Sequence, residues 1–146
     1  MNNSSDFEQL FNITMQFGKL MSHQSTQSYE ERTATMLQFS AFSFLKDHSN
    51  STVGDLARFL QLSKSSATQL IERLVKAKFV ERTNDQEDRR IIRLVITEEG
   101  KKEFLTLKKD FMEKMQRIFS KIPAKDLREL IRIQTNLVET LKKEQF

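Results

Sequence analysis

The chain has 146 residues, with 24 Lys and Arg, 20 Asp and Glu, two His and no Cys, for a formal charge of +4. That length suits one domain with an ordinary hydrophobic core. Three Gly, one Pro and no Trp favour a mainly helical protein over a sandwich or barrel, and the missing cysteines exclude disulfide scaffolds, thiolate zinc sites, cysteine nucleophiles and thiol switches.

From Asp6, the residues Phe7, Leu10, Phe11, Thr14, Phe17 and Met21 recur at three- and four-residue spacing, which predicts a helix of about five turns. Polar residues 22–31 interrupt it. A second helix follows through Met36, Leu37, Phe39, Phe42, Phe44 and Leu45, apolar around most of its surface and therefore expected to be buried on several sides. His48-Ser-Asn-Ser reads as a turn. Thr52-x-x-Asp55 has the spacing of a capping box and opens a short helix that ends near Gln61. Ser63 is the natural N-cap of the next helix, whose Ala67, Leu70, Ile71, Leu74 and Val75 form an inward stripe.

After Lys78 the period shortens to two. Residues 79–96 predict a β-hairpin with a charged tip of about seven residues, its Ile92, Leu94 and Ile96 sharing one face. Thr97-Glu-Glu-Gly100 starts a long helix carrying Phe104, Leu107, Phe111, Met115, Ile118 and Phe119. Pro123 suits the first turn of a last helix with Leu127, Leu130, Ile131, Leu137 and Leu141. The expected fold is mainly α with a small β-hairpin wing. A winged helix-turn-helix at 52–97 sits between terminal helices at 6–47 and 98–146, all in a single domain spanning 1–146.

The charge is unevenly placed. Residues 58–93 hold nine Lys and Arg against five acids, while the remainder of the chain is balanced. Two short helices followed by a hairpin suit DNA, because the first helix braces the second and the second presents its free face to a major groove. On that face stand Ser63, Lys64, Ser65, Ser66, Thr68, Gln69 and Arg73. Short hydroxyl side chains allow close approach to the backbone of the duplex; Gln69 can pair with adenine, and Arg73 with guanine or a phosphate. Plain helix capping with solvated polar residues explains the same hydroxyls. Arg89 and Arg90 at the hairpin tip favour DNA, with Asp88 able to hold Arg90 extended toward a minor groove.

From Leu62 to Gly100, LSKSSATQLIERLVKAKFVERTNDQEDRRIIRLVITEEG resembles the signature of the MarR (multiple antibiotic resistance regulator) family. The matching residues are Thr68, Arg82, the Asp88 and Arg90 pair, Ile96-Thr97 and Gly100. This resemblance implies a homodimer with intertwined terminal helices and two winged modules on a pseudo-palindromic operator. It places Arg90 in the minor groove, Asp88 as its orienting partner and the helix from Ser63 in the major groove. It also implies a small aromatic or phenolic ligand in a cleft between dimer helices and winged module, lined by Met15, Met36, Phe39, Phe42, Phe44, Phe111 and Met115; their helical spacing alone reads as ordinary core. The sequence departs from the family at Lys78, where Gly is common, and at Gln86, where Pro is common. A left-handed cap costs Lys about 1 kcal/mol relative to Gly, which predicts that this helix ends differently.

Function therefore reads as a double-stranded-DNA-binding transcriptional regulator, with repression the expected sign. The alternative is a winged-helix protein-interaction module that meets an acidic partner. No nucleophile–base–orienter set and no glycine-rich phosphate loop is present, so neither an enzyme nor a cofactor is expected. His23 and His48 are far apart in sequence and predict no metal site. No apolar run approaches the roughly 18 residues of a spanning helix. The start MNNSSDFEQLF lacks a basic region followed by an apolar one, so a cytoplasmic protein without membrane contact is expected.

Overall fold

The computed structural model describes residues 3–23 and 28–144, which form six helices and one two-stranded antiparallel sheet. The chain divides into two compact units, Met1–Gly100 and Lys101–Phe146. In the first lie α1 (Asn3–His23), α2 (Tyr29–Asp47), α3 (Val53–Leu60), α4 (Lys64–Lys76), β1 (Val80–Asn84) and β2 (Ile92–Ile96). Helix α5 (Glu98–Phe119) begins at its end and continues into the second unit, which also contains α6 (Ala124–Glu144). Among the described residues no helix is long and apolar enough to cross a membrane.

Local chemistry explains where the helices start. Ser28 and Glu31 close a reciprocal capping box on α2, a start that lies within the polar interruption at 22–31. Residues 24–27 of that interruption lie outside the described residues. Thr52 and Asp55 form the box expected on α3: the Asp55 carboxylate accepts from the Thr52 N–H at 2.8 Å, and Thr52 Oγ1 accepts from the Asp55 N–H at 3.2 Å. The Thr52 amide first, then the Thr52 hydroxyl, which donates to the same carboxylate at 2.8 Å, hold the Asp55 carboxyl below its ordinary range. Helix α3 ends on Gln61 in the left-handed region, at φ 53°.

The core of the first unit is built from α2, α3, α4 and the hairpin. Ala41, Phe42, Leu45, Leu56, Ala67, Leu70, Ile71, Leu74, Val80 and Leu94 are buried, and Phe42 meets Phe79 edge-on at 5.9 Å. Strand register pairs Val80 with Ile96 and Arg82 with Leu94. A third partner reaches β2 from the other side, because the Leu94 N–H donates to the Ser51 carbonyl at 2.8 Å. The α2–α3 turn thus docks on the wing. That partner reaches only as far as Leu94, and Ile92, expected inward with Leu94 and Ile96, is exposed instead.

The recognition-type helix α4 ends in the manner its sequence was expected to avoid. Lys78 adopts φ 62°, with its N–H donating to the Val75 carbonyl and the Phe79 N–H to the Leu74 carbonyl, both at 2.9 Å. This is the Schellman arrangement that Gly normally completes. Two caps and the start of β1 depend on it, which is enough to hold a lysine in the left-handed region. Lys78→Gly is therefore expected to stabilise the protein by about 0.5–1 kcal/mol, the relieved Cβ strain being partly offset by greater freedom of the unfolded chain. A melt that moves down instead of up would reject the strain.

Outside this core many large apolar side chains stand exposed. Phe7, Leu10, Phe11, Phe17 and Leu20 of α1 are exposed, as are Ile131, Leu137, Val138 and Leu141 of α6, and no residue of α6 is buried. Of the seven residues weighed as core or cleft lining, Phe42 and Phe44 are buried, and Phe39 and Met115 are half-buried. Met15, Met36 and Phe111, which helical spacing reads as core, are exposed on the single chain.

Candidate nucleic-acid interface

Helix α4 presents the face that the sequence singled out. Ser63 caps it, its Oγ accepting from the Ser66 N–H at 3.1 Å and donating to Ser66 Oγ at 2.8 Å. Thr68 is half-buried and its hydroxyl donates back to the Lys64 carbonyl at 2.8 Å. These two hydroxyl protons are engaged within the helix, as the capping explanation requires. Ser65, Gln69 and Arg73 are exposed, and no hydrogen bond within the described residues occupies their side chains. An open groove beside them is lined by Leu37 and Leu62 together with Leu70, Gln69, Arg73 and Lys76. The free polar reach of α4 therefore narrows to Ser65, Gln69 and Arg73, joined by the exposed Lys64.

At the wing tip the Asp88 carboxylate grips Arg90 on three sides. Its Oδ1 accepts from the Arg90 N–H and from Nε, and its Oδ2 accepts from Nη2, all at 3.0 Å. The Arg90 side chain is nonetheless 91% exposed. This is the geometry of a guanidinium stretched over a carboxylate and offered outward. The Arg90 contacts lower the Asp88 carboxyl and raise the arginine, so both stay charged across the physiological range. Arg89 is exposed beside it.

Asp85 anchors the same tip. Its Oδ1 accepts from the N–H groups of Glu87 at 2.9 Å and Asp88 at 3.0 Å, and its Oδ2 accepts from Arg93 Nε at 2.7 Å. The Asp88 amide first, then the Arg93 guanidinium and the Glu87 amide, push the Asp85 carboxyl down to about 2. A depressed carboxyl contributes its stability fully above the unfolded value, near 3.9, and loses it as pH falls through about 2. The tip is thus expected to loosen between about pH 4 and 2, and Asp85→Asn to remove part of that acid sensitivity. Amide exchange of residues 85–91 against pH checks this; an identical acid profile in the variant counts against it.

The motif Ile96-Thr97 with Gly100 also acquires a reason. Thr97 Oγ1 donates to the Lys78 carbonyl at 2.7 Å and accepts from the Gly100 N–H at 3.0 Å, while the Thr97 N–H donates to the Phe79 carbonyl at 3.0 Å. A Cβ on Gly100 would lie 2.1 Å from that Phe79 carbonyl oxygen. Helix α5 begins against the start of β1, and only glycine fits there.

Residues 33–91, which include α3, α4 and the wing tip, match the sequence profile of the MarR family. The matched segment of the chain is similar to the MarR family. It is 31% identical over 86 residues to the HTH-type transcriptional regulator YsmB of Bacillus subtilis, covering 57% of this chain and 59% of that one. It is 31% identical over 74 residues to the HTH-type transcriptional repressor MdtR of Bacillus subtilis, covering 51% and 48%. The chain thus spans about half the length of the curated relatives it matches. The fold extends further: the crystal structure of YusO from Bacillus subtilis superposes with a TM-score of 0.73 at 22% identity, covering 95% of this chain and 98% of that one. Both curated relatives, YsmB and MdtR, are named as transcriptional regulators.

The sequence left out Asn50, Asp85 and Arg93. Their signal was present but faint: an acid and a base eight residues apart across a seven-residue tip, with an asparagine in a turn that favours positive φ. Among the described residues no group of His, Asp and Glu could hold a metal ion. The His23 side chain lies outside the described residues.

Proposed function

We propose that the chain is a cytoplasmic homodimer that binds double-stranded DNA and represses transcription from a pseudo-palindromic operator. One observation carries the reading: Arg90 is held extended by Asp88 yet left 91% exposed, on the same unit as the free face of α4. A guanidinium arranged this way suits the negative potential of a narrow minor groove. Lys64, Ser65, Gln69 and Arg73 would then face the major groove, with Gln69 and Arg73 the residues able to read bases. Ser63, Ser66 and Thr68 act mainly through the helix they shape, and Arg89 adds charge at the phosphate backbone.

The exposed apolar stripes of α1 and α6 support the dimer, because a soluble chain does not leave so many large apolar residues in water without a partner. Two copies on a two-fold axis read half-sites about one helical turn apart, or a multiple of it. The name of MdtR, a repressor, favours repression as the sign. Control by a small aromatic or phenolic molecule belongs to the same proposal, with the exposed Met36 as an apolar contact on α2.

The test pairs light scattering with titration of a duplex that the purified protein enriches from a random-sequence pool. The expected result is a dimer mass and an affinity that falls steeply with salt, by about 10³–10⁵ between 50 and 200 mM if six to ten phosphates are contacted. A monomer, or binding that ignores salt, overturns the proposal.

A further inference from the structure

Arg90 is not fixed by Asp88 alone, because Asp88 is itself fixed. Asn50, in the α2–α3 turn at φ 68°, offers its carbonyl to Arg93 Nη1 at 2.8 Å. The same guanidinium donates through Nε to Asp85 at 2.7 Å, and Asp85 accepts the backbone N–H groups of Glu87 and Asp88. Asp88 then holds Arg90. A continuous series of charge-assisted bonds runs from the helix-turn-helix to the exposed Arg90 of the wing.

Exposure separates the two arginines. The Arg93 side chain is 26% exposed and Asp85 18%, against 91% for Arg90. Arg93 is a base in the positive segment whose Nε and Nη1 already donate to a carboxylate and a carbonyl, on a strand that, among the described residues, is otherwise hydrogen-bonded to the turn through Leu94 and Ser51. Its distinctive property is the 43-residue span in sequence from strand to turn.

We infer that Arg93 and Asp85 are positioning residues that set where Arg90 stands for DNA, the clamp of Arg93 on Asp85 and Asn50 holding the tip to the helix-turn-helix. This rests on the DNA reading above. Arg93 acts through Arg90 and contacts no phosphate itself. Freeing one side chain that must then be ordered on binding weakens affinity by about tenfold.

The experiment is a double-mutant cycle on the duplex enriched by the wild-type protein, comparing wild type, Arg90→Ala, Arg93→Met and the double variant. Thermal melts and amide exchange of residues 85–91 accompany each. Arg93→Met is expected to weaken binding about tenfold beside Arg90 and by less than about twofold beside Ala at that position, the signature of two residues acting as one. Exchange at Asp88 and Arg90 should quicken. Asp85→Asn serves as the second variant should Arg93→Met fold poorly, with the same pattern expected. Equal losses in both backgrounds overturn the inference, since they mark a direct phosphate contact or a general defect. Unchanged tip exchange removes the clamp alone. A wild type that enriches no duplex instead removes the DNA reading, and the role assigned through Arg90 with it.

Discussion

Gly100→Ala is expected to destabilise the protein by about 3 kcal/mol, lowering the melting temperature by roughly 6–12 °C. The added methyl would meet the Phe79 carbonyl oxygen at 2.1 Å, Ile96 Cγ1 at 2.8 Å and the Phe79 carbonyl carbon at 3.0 Å. Two of those three atoms are backbone. The oxygen cannot simply turn aside, because it accepts the Thr97 N–H at 3.0 Å and follows directly on the left-handed Lys78. Relief requires parting the start of α5 from the start of β1. Helix propensity alone predicts the reverse sign, since Ala is better than Gly inside a helix by about 1 kcal/mol. A calorimetric melt decides between them, and an unchanged or raised transition would show that the close approach is not rigid.

Arg90→Ala is expected to weaken binding to the enriched duplex by about 30-fold per half-site while leaving dimer mass and melting temperature alone. An ion pair on a side chain 91% exposed contributes little to folding, so its removal should be silent in a melt. In DNA the same guanidinium would replace solvent with groove acceptors and a phosphate field. The salt slope of binding should fall by about one for each arginine removed. Affinity equal to wild type would reject the wing assignment, whatever the other residues do.

Much of this arrangement was legible because it is local. Thr52 and Asp55, Ser63, and the stripe from Ala67 to Leu74 act within one or two helical turns, and the structure places each as spacing dictates. The seven-residue tip between Asn84 and Ile92 was legible for the same reason. What failed was non-local. Lys78 keeps a glycine-like conformation because β1 and Thr97 hold the chain beyond it, a cooperation that propensity cannot see. Ile92 alternates correctly but lies past the reach of Ser51, so period alone placed it inside. Arg93 read as one more surface base because its carbonyl partner is 43 residues away. Met15, Met36 and Phe111 read as core because helical spacing identifies an apolar face without saying which chain covers it.

The pairing of β2 on both sides also limits how this protein can misassociate. Ser51 covers one flank of β2 at Leu94 and β1 covers the whole of the other, so the sheet's longest open edge runs along β1. That edge is five residues long and carries exposed Glu81 and Arg82. Short, charged edges resist recruitment of a foreign strand, the usual first step toward fibrous aggregation. A chain with so many uncovered apolar helical residues has strong reason to self-associate, and the wing leaves it few ways to do so by strand addition.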